Sequence, residues 1–240
     1  MKMITRSAIG ILAIGGISTV ALLGLSAGDR AQAATINSLY NTGVDNAKAV
    51  LSDGTIGDPH YSLVSVPTGS TTEIRSRREA GGAPYDASPY VGDTTLSTWI
   101  GPNNDNQLNA PSGTYNFQTT FDLTGYQAST AQITGRWAAD DNGVQILLNG
   151  VDTGVASIGA GNFGQWSNFT INNSALFVAG TNRLNFIVVN TPGRTALRTE
   201  LVGTADVVAA VEAVPEPSDL LGSAIAFGAV VLIKRKLTKK

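Results

Sequence analysis

Between residues 34 and 205 the chain never sustains a helical period. It breaks instead into short runs of alternating apolar and polar residues, each ended by Gly, Asn, Asp or Pro. That pattern constrains the fold more than any other feature of the sequence. The runs are 36–40, 60–66, 94–100, 114–123, 130–138, 144–148, 166–171, 183–189 and 195–202. Asn149-Gly150 is the strongest turn signal, because both central positions of a type I′ hairpin need φ > 0; it predicts a short return strand over 151–156. About nine strands with no helix between them predict an all-β fold, a single jelly-roll-like β-sandwich. The Val/Ala-rich run 205–213 reads as linker or as a last edge strand.

Alternation also assigns faces. Leu184, Phe186 and Val188 share one side of their strand, as do Val144, Ile146 and Leu148 of the hairpin. Ile133, Gly135 and Trp137 align, which makes Trp137 a core residue, and Tyr115, Phe117 and Phe121 form another inward row.

The two ends carry different chemistry. Residues 1–33 start with Lys2 and Arg6 and continue through an apolar, small-residue stretch from Ala8 to Ala27. They close on Ala31-Gln32-Ala33, a small-x-small pattern that predicts signal-peptide cleavage after Ala33 and use of the Sec export machinery. An uncleaved N-terminal anchor is the alternative. At the other end, Pro215-Glu216-Pro217 is followed by an uncharged apolar run, 220–233, and by Lys234-Arg235-Lys236 and Lys239-Lys240. The two prolines hold Glu216 in an extended, accessible segment. The apolar run is short against the roughly 20 residues of an untilted span, and the basic end favours the cytoplasmic side. The expected organisation is a signal peptide 1–33, a sandwich 34–205, a linker 206–214 and a membrane-inserting tail 215–240.

The span 34–214 holds 8 Lys/Arg and 15 Asp/Glu, a net charge of −7, while the whole chain is close to neutral at −2. With Lys48 as its one lysine, it has no basic patch to release counterions, which argues against a nucleic-acid partner. There is no Cys, so an exported domain of this composition is held by packing alone.

The three-part tail resembles a PEP-CTERM sorting signal. The resemblance implies that an exosortase, a membrane cysteine peptidase, reads Pro215, Glu216 and Pro217 and releases or transfers the protein during export. The membrane would hold the C-terminal helix before processing, and the body would end at the cell surface, in the envelope or in the extracellular matrix. The body carries a second resemblance. Gly135-Arg136-Trp137-Ala138-Ala139-Asp140-Asp141-Asn142, followed by 144–148 and Asn149-Gly150, resembles the central hairpin of galactose-binding-like sandwiches. Phe177-x-x-Gly180-x-Asn182-x-Leu184-x-Phe186-x-Val188 resembles a strand start in the same superfamily. Such domains often serve as carbohydrate-binding modules, although fold alone does not carry function.

Catalytic constellations are sparse. His60 is the single His, and no nucleophile-elbow sequence accompanies it. Glycoside hydrolysis needs two carboxylates, and the four body Glu are Glu73, Glu79, Glu200 and Glu212. The first two sit among Arg75, Arg77 and Arg78 in what reads as a solvated loop with surface ion pairs. No enzyme activity and no cofactor are expected. Structural calcium stays open at Asp140-Asp141-Asn142 and at Asp53 with Asp58, oxygen ligands in Gly-rich loops; shaping of turns by Asp and Asn is the other account. A sugar site needs an aromatic platform beside carboxylates and amides. The candidates are Trp99, Trp166, Tyr85 and Tyr90 with Asp140, Asp141 and Asn142, Trp166 by its parity opposite to Phe169 and Ile171. The expected protein is an exported, non-catalytic carbohydrate-binding module; a purely structural surface protein and a glycan-active enzyme are the alternatives.

Overall fold

The computed structural model describes residues 32–78, 90–92 and 94–208. The segment 1–31, Tyr85, Glu79, Glu212 and the Pro215-Glu216-Pro217 tail lie outside the described residues, and with them the signal peptide, its Ala31 and the sorting helix. Among the described residues no helix is long and apolar enough to cross a membrane.

Fourteen strands are described: β1 Ala33–Thr35, β2 Tyr61–Ser65, β3 Ile74–Arg77, β4 Trp99–Pro102, β5 Asn109–Ala110, β6 Gly113–Asp122, β7 Gln132–Asp140, β8 Asn142–Leu148, β9 Val151–Asp152, β10 Gly159–Ala160, β11 Ser167–Ile171, β12 Thr181–Asn190, β13 Gly193–Arg194 and β14 Ala196–Asp206. They form two antiparallel sheets and a small ribbon. The first sheet runs β11-β7-β14-β4-β3, with β1 also on β14. The second runs β10-β8-β12-β6-β2, with β9 on β8, and β13 pairs β5. From β6 onward the long strands alternate between sheets, so the chain closes a sandwich rather than two separate meanders.

The inner faces follow the alternation. Tyr115, Phe117 and Phe121 of β6 and Leu184, Phe186 and Val188 of β12 are buried, and the two strands pair with Phe117 opposite Phe186. Across the sandwich the Trp137 and Phe169 rings lie 5.8 and 6.4 Å from Phe186. Ile133 and Trp137 are buried in the same cluster. Gly135 stays a glycine because a Cβ there would come 2.7 Å from the Glu200 carbonyl.

The hairpin departs from simple parity. Ile146 and Leu148 face the core, but the register of β8 on β12 slips by one residue, and Gly143 rather than Val144 takes the inward place opposite Val188. A bulge of this kind flips every side chain beyond it. Gly143 lies against Trp137, and a Cβ would approach the indole to 2.5 Å. Asn149 and Gly150 both have positive φ, 52° and 83°, and β9 returns along β8 for two residues. Within the stretch 135–150 that resembles a central hairpin, β7 and β8 do not pair with each other: β7 pairs β11 and β14 in the first sheet, while β8 pairs β12 in the second. The turn at Asp140-Asp141 is therefore a crossing between sheets.

Four other expectations change. The run 36–40 is a turn after β1, and its Ile36 and Leu39, three residues apart, both insert into the core beside Gly203. Of 94–100 only Trp99 and Ile100 are strand. The stretch 73–78, read as a solvated loop, contains the edge strand β3. Arg77 is buried there and paired with Asp53 at 3.3 Å, while Arg75 donates to Asn103 and to the Gly54 carbonyl. Strand β14 continues to Asp206, past the expected end of the domain at 205.

The Asn182 of the strand-start motif is explained by its bonds. It is fully buried, donates to the Val178 and Gly180 carbonyls, and accepts from Val178 and Asn149. It ties the turn before β12 to the Asn149-Gly150 hairpin at one end of the sandwich.

Candidate functional site

The opposite end, where β7 gives way to β8, holds a cleft of about 290 Å3 lined by Tyr90, Asn109, Asp140, Asp141, Phe163 and Arg194. Each wall has a local cause. Asp140 ends β7 on the outer face of the first sheet, Asp141 sits in the crossing, and Arg194 and Asn109 are opposite each other in the β5–β13 ribbon. Tyr90 and Phe163 come from separate loops joined by a hydrogen bond from the Val91 amide to the Phe163 carbonyl, 2.9 Å.

The Tyr90 ring stacks on Phe163 at 4.5 Å, meets the edge of Trp99 at 5.8 Å and lies 5.9 Å from the Arg194 guanidinium. Its hydroxyl donates to Asp140 Oδ2 at 2.8 Å. Asp141 Oδ2 accepts from the Thr191 amide at 2.6 Å and from the Thr191 hydroxyl. Asp140 is only 2 % exposed. Its carboxyl is pushed up to about 7, first by desolvation and then by neighbouring Asp141, against the lowering effect of the Tyr90 bond. Burial likewise pushes the Tyr90 phenol up to about 12.

Of the residues singled out from sequence, this cleft unites Tyr90, Asp140 and Asp141. Trp99 does not line it: the indole is fully buried and donates to the Val91 carbonyl, so it offers no surface to a ligand. Asn142 begins β8 and accepts from Ser157 instead. Trp166 is half-buried on the outer face of the first sheet, as its parity predicts, with the Arg136 and Arg198 guanidinium carbons 4.5 and 5.2 Å from its ring. Asp53 and Asp58 are apart from the cleft. Asp53 pairs with Arg77, and Asp58 accepts from the amides of Gly43, His60 and Tyr61.

Calcium at Asp140-Asp141-Asn142 would have to draw on a carboxyl held near neutrality and bonded to Tyr90, on another bonded to Thr191, and on an amide facing Ser157. Among the described residues no three His, Cys, Asp or Glu side chains converge as metal ligands. The Asp140 and Asp141 carboxylates are instead bonded to Tyr90 and Thr191.

Sequence reasoning missed Arg194, Asn109, Phe163 and, beneath them, Arg198. The Arg198 guanidinium is fully buried and donates to the carbonyls of Val91, Gly92 and Ser97 and to the hydroxyls of Thr94 and Ser97. It holds 91–92 and 94–97, the strap that carries Tyr90 into the cleft. Glu200 accepts from the same Thr94 and Ser97 hydroxyls and from Arg136. Burial raises the Glu200 pKa, but these bonds outweigh it and hold the carboxyl below its ordinary value. No local signal marks either residue, because their partners lie about a hundred positions away.

No family model matches the chain, and no curated protein matches it. Three solved structures are similar at low identity. A carbohydrate-binding module CBM36, in complex with calcium and xylotriose, is 11% identical with a TM-score of 0.29, over 72% of this chain and 99% of that one. A CBM36-1 domain of a multidomain xylanase from the hindgut metagenome of Trinervitermes trinervoides is 12% identical, TM-score 0.30, over 65% and 100%. The CBM35 from Cellvibrio japonicus Abf62 is 15% identical, TM-score 0.28, over 75% and 100%. Similarities of that depth leave function to be argued from the cleft.

Proposed function

We propose that the chain is an exported, non-catalytic carbohydrate-binding protein whose ligand sits in the cleft between Tyr90, Asp141 and Arg194. The observation that carries the reading is the pairing of chemistries: an aromatic ring backed by Phe163 stands beside a carboxylate, an amide and a guanidinium. A pyranose offers the complement, an apolar face and a rim of hydroxyls. Catalysis is not part of the proposal, because Asp140 is sequestered under Tyr90 and Asp141 is engaged by Thr191. The same partners favour the alternative of a purely structural surface protein, in which the carboxylates only fix the crossing.

One stacked ring and a few exposed hydrogen bonds support weak binding, with Kd on the order of 0.1–1 mM; many copies on one surface turn that into avidity. Titration of neutral sugars, followed by tryptophan fluorescence, is expected to saturate in the millimolar range for the native chain. Tyr90→Ala should weaken binding at least tenfold. A broad panel giving no saturation would leave the structural reading in place.

The proposal extends to the ends of the chain: Sec export, cleavage after Ala33, and exosortase-type processing at Pro215-Glu216-Pro217. Protein recovered from the surface of its own cells should lack residues 220–240, and Glu216→Ala should accumulate the longer form in membranes. Mass spectrometry finding Lys240 on most surface copies would favour a plain tail anchor.

A further inference from the structure

The outward-facing residues of β7 and β14 form two adjacent rows. In register, Asp140 lies opposite Ala196, Ala138 opposite Arg198, Arg136 opposite Glu200 and Thr134 opposite Val202. The alternate residues, such as Trp137, Ala139, Leu197 and Leu201, belong to the core between the sheets. The two rows form one band on the outer side of the first sheet, covered over Ala138, Ala196 and Arg198, which are fully buried. At one end is Asp140 and the rim cleft. In the middle Tyr90, Phe163 and Trp166 pack over Ala138 and Ala196.

The far end opens into a larger groove, about 510 Å3, lined by Thr134, Arg136, Glu200, Val202, Thr170 and Leu96. Val202 and Leu96 are 60 % and 54 % exposed. The groove's two charges are paired with each other, Arg136 to Glu200 at 2.6 Å. What remains is aliphatic surface among hydroxyl and paired polar groups, beside the aromatic and charged groups of the rim cleft. From Asp140 to Thr134 is about 20 Å of strand, longer than a single sugar ring.

We propose that the ligand is an uncharged oligosaccharide chain of several units, which occupies the rim cleft and continues past Trp166 into the groove of Val202 and Leu96. This rests on the carbohydrate reading of the cleft. Neutrality follows from the internal pairing of Arg136 with Glu200, and a body of net charge −7 disfavours polyanions.

The test is calorimetric titration of the full-length chain with β-1,4-linked ladders of xylose, glucose and galactose, one to six units long. Affinity should rise at least tenfold between one or two units and five or six in one of the ladders. Val202→Glu should flatten that rise, bringing long and short ligands to the same affinity. Val64→Glu, on the outer face of the second sheet, should change nothing. Binding that is independent of length would overturn the extended site while sparing the rim cleft. A rise retained in Val202→Glu would remove the groove from the path. No binding to any ladder would overturn the carbohydrate reading and this inference with it.

Discussion

Two apolar clusters hold the body together, and they are built by opposite means. The inner one lies between the sheets and consists of alternate residues from long strands, with Phe186, Phe117 and Trp137 at its centre. The outer one, Val91, Trp99, Leu108, Ala138 and Ala196, lies on the side of the first sheet that alternation would give to solvent. It is dry because the strap of 91–92 and 94–97 and the turn at 162–166 fold over it, and the strap is held by a buried cation. Alternation tells which side chains share a face; it does not tell which faces are covered.

The largest expected contrast comes from removing one central residue of each. Phe186→Ala should cost about 3–5 kcal/mol, spread over the whole cooperative transition. Arg198→Met strands several buried acceptors, each worth about 1–3 kcal/mol, with some regaining water as the strap loosens. A loss of about 2–3 kcal/mol is expected. Hydrogen exchange should speed up first at 91–97, while amides of β6 and β12 keep their protection. If exchange at 91–97 is unchanged in Arg198→Met, the guanidinium does not hold the strap and the two clusters are one.

The same contrast explains how much was legible in the sequence. The rows Leu184-Phe186-Val188 and Tyr115-Phe117-Phe121 were legible because a two-residue period has one physical cause, the pleat. Asn149-Gly150 was legible because positive φ selects residue types locally. Val144 was misassigned because a bulge is a relation between two strands, fixed by the room beside Trp137 that only Gly143 leaves. Trp99 was mistaken for a ligand platform because nothing in Ser97-Thr98-Trp99 shows that Tyr90 and Val91 will cover it. Arg75 and Arg77 looked solvated because their partners, Asn103 and Asp53, lie beyond the local window. In the cleft, Tyr90, Asp140 and Asp141 were visible as residue types, whereas Arg194 and Phe163 needed the fold to bring them there.

On the outer side of the first sheet two carboxyls respond oppositely to pH. Asp140, at the edge of the outer cluster, has its carboxyl raised from 3.8 to about 7, so the folded state binds a proton that the unfolded state has released. Its contribution is most favourable below about pH 4 and is lost as pH rises toward 7. Glu200 is held below its ordinary 4.5; its contribution is present above that value and lost as pH falls through the folded pKa. A change of one in a pKa is worth about 1.4 kcal/mol. A decline on the order of 2 kcal/mol from pH 4.5 to 7.5 is expected from Asp140, read from urea midpoints. Asp140→Asn should flatten it. A stability curve of the native chain that rises across this interval, and does so equally in Asp140→Asn, would remove Asp140 from the account.

The smallest effect is expected at the seam between cluster and solvent, at Trp166. Its ring is half-buried against the outer cluster and engages Arg136 at 4.5 Å and Arg198 at 5.2 Å. Cation–π contacts contribute about 0.5–1 kcal/mol each at exposed sites, and partial burial adds less than the 3–5 kcal/mol of a core tryptophan. Trp166→Ala should therefore cost about 1–2 kcal/mol in urea unfolding. A loss matching Phe186→Ala would make the ring part of the main core and unavailable to any ligand. A loss below about 0.5 kcal/mol would make it a solvent-facing platform, as its parity in the sequence suggests. The substitution also decides what the fluorescence titration reports: Trp99 and Trp137 are fully buried, so a sugar signal that survives in Trp166→Ala must reach one of them through the fold, whereas a signal that disappears with Trp166 while calorimetry still detects binding comes from the surface the chain ligand is proposed to cross.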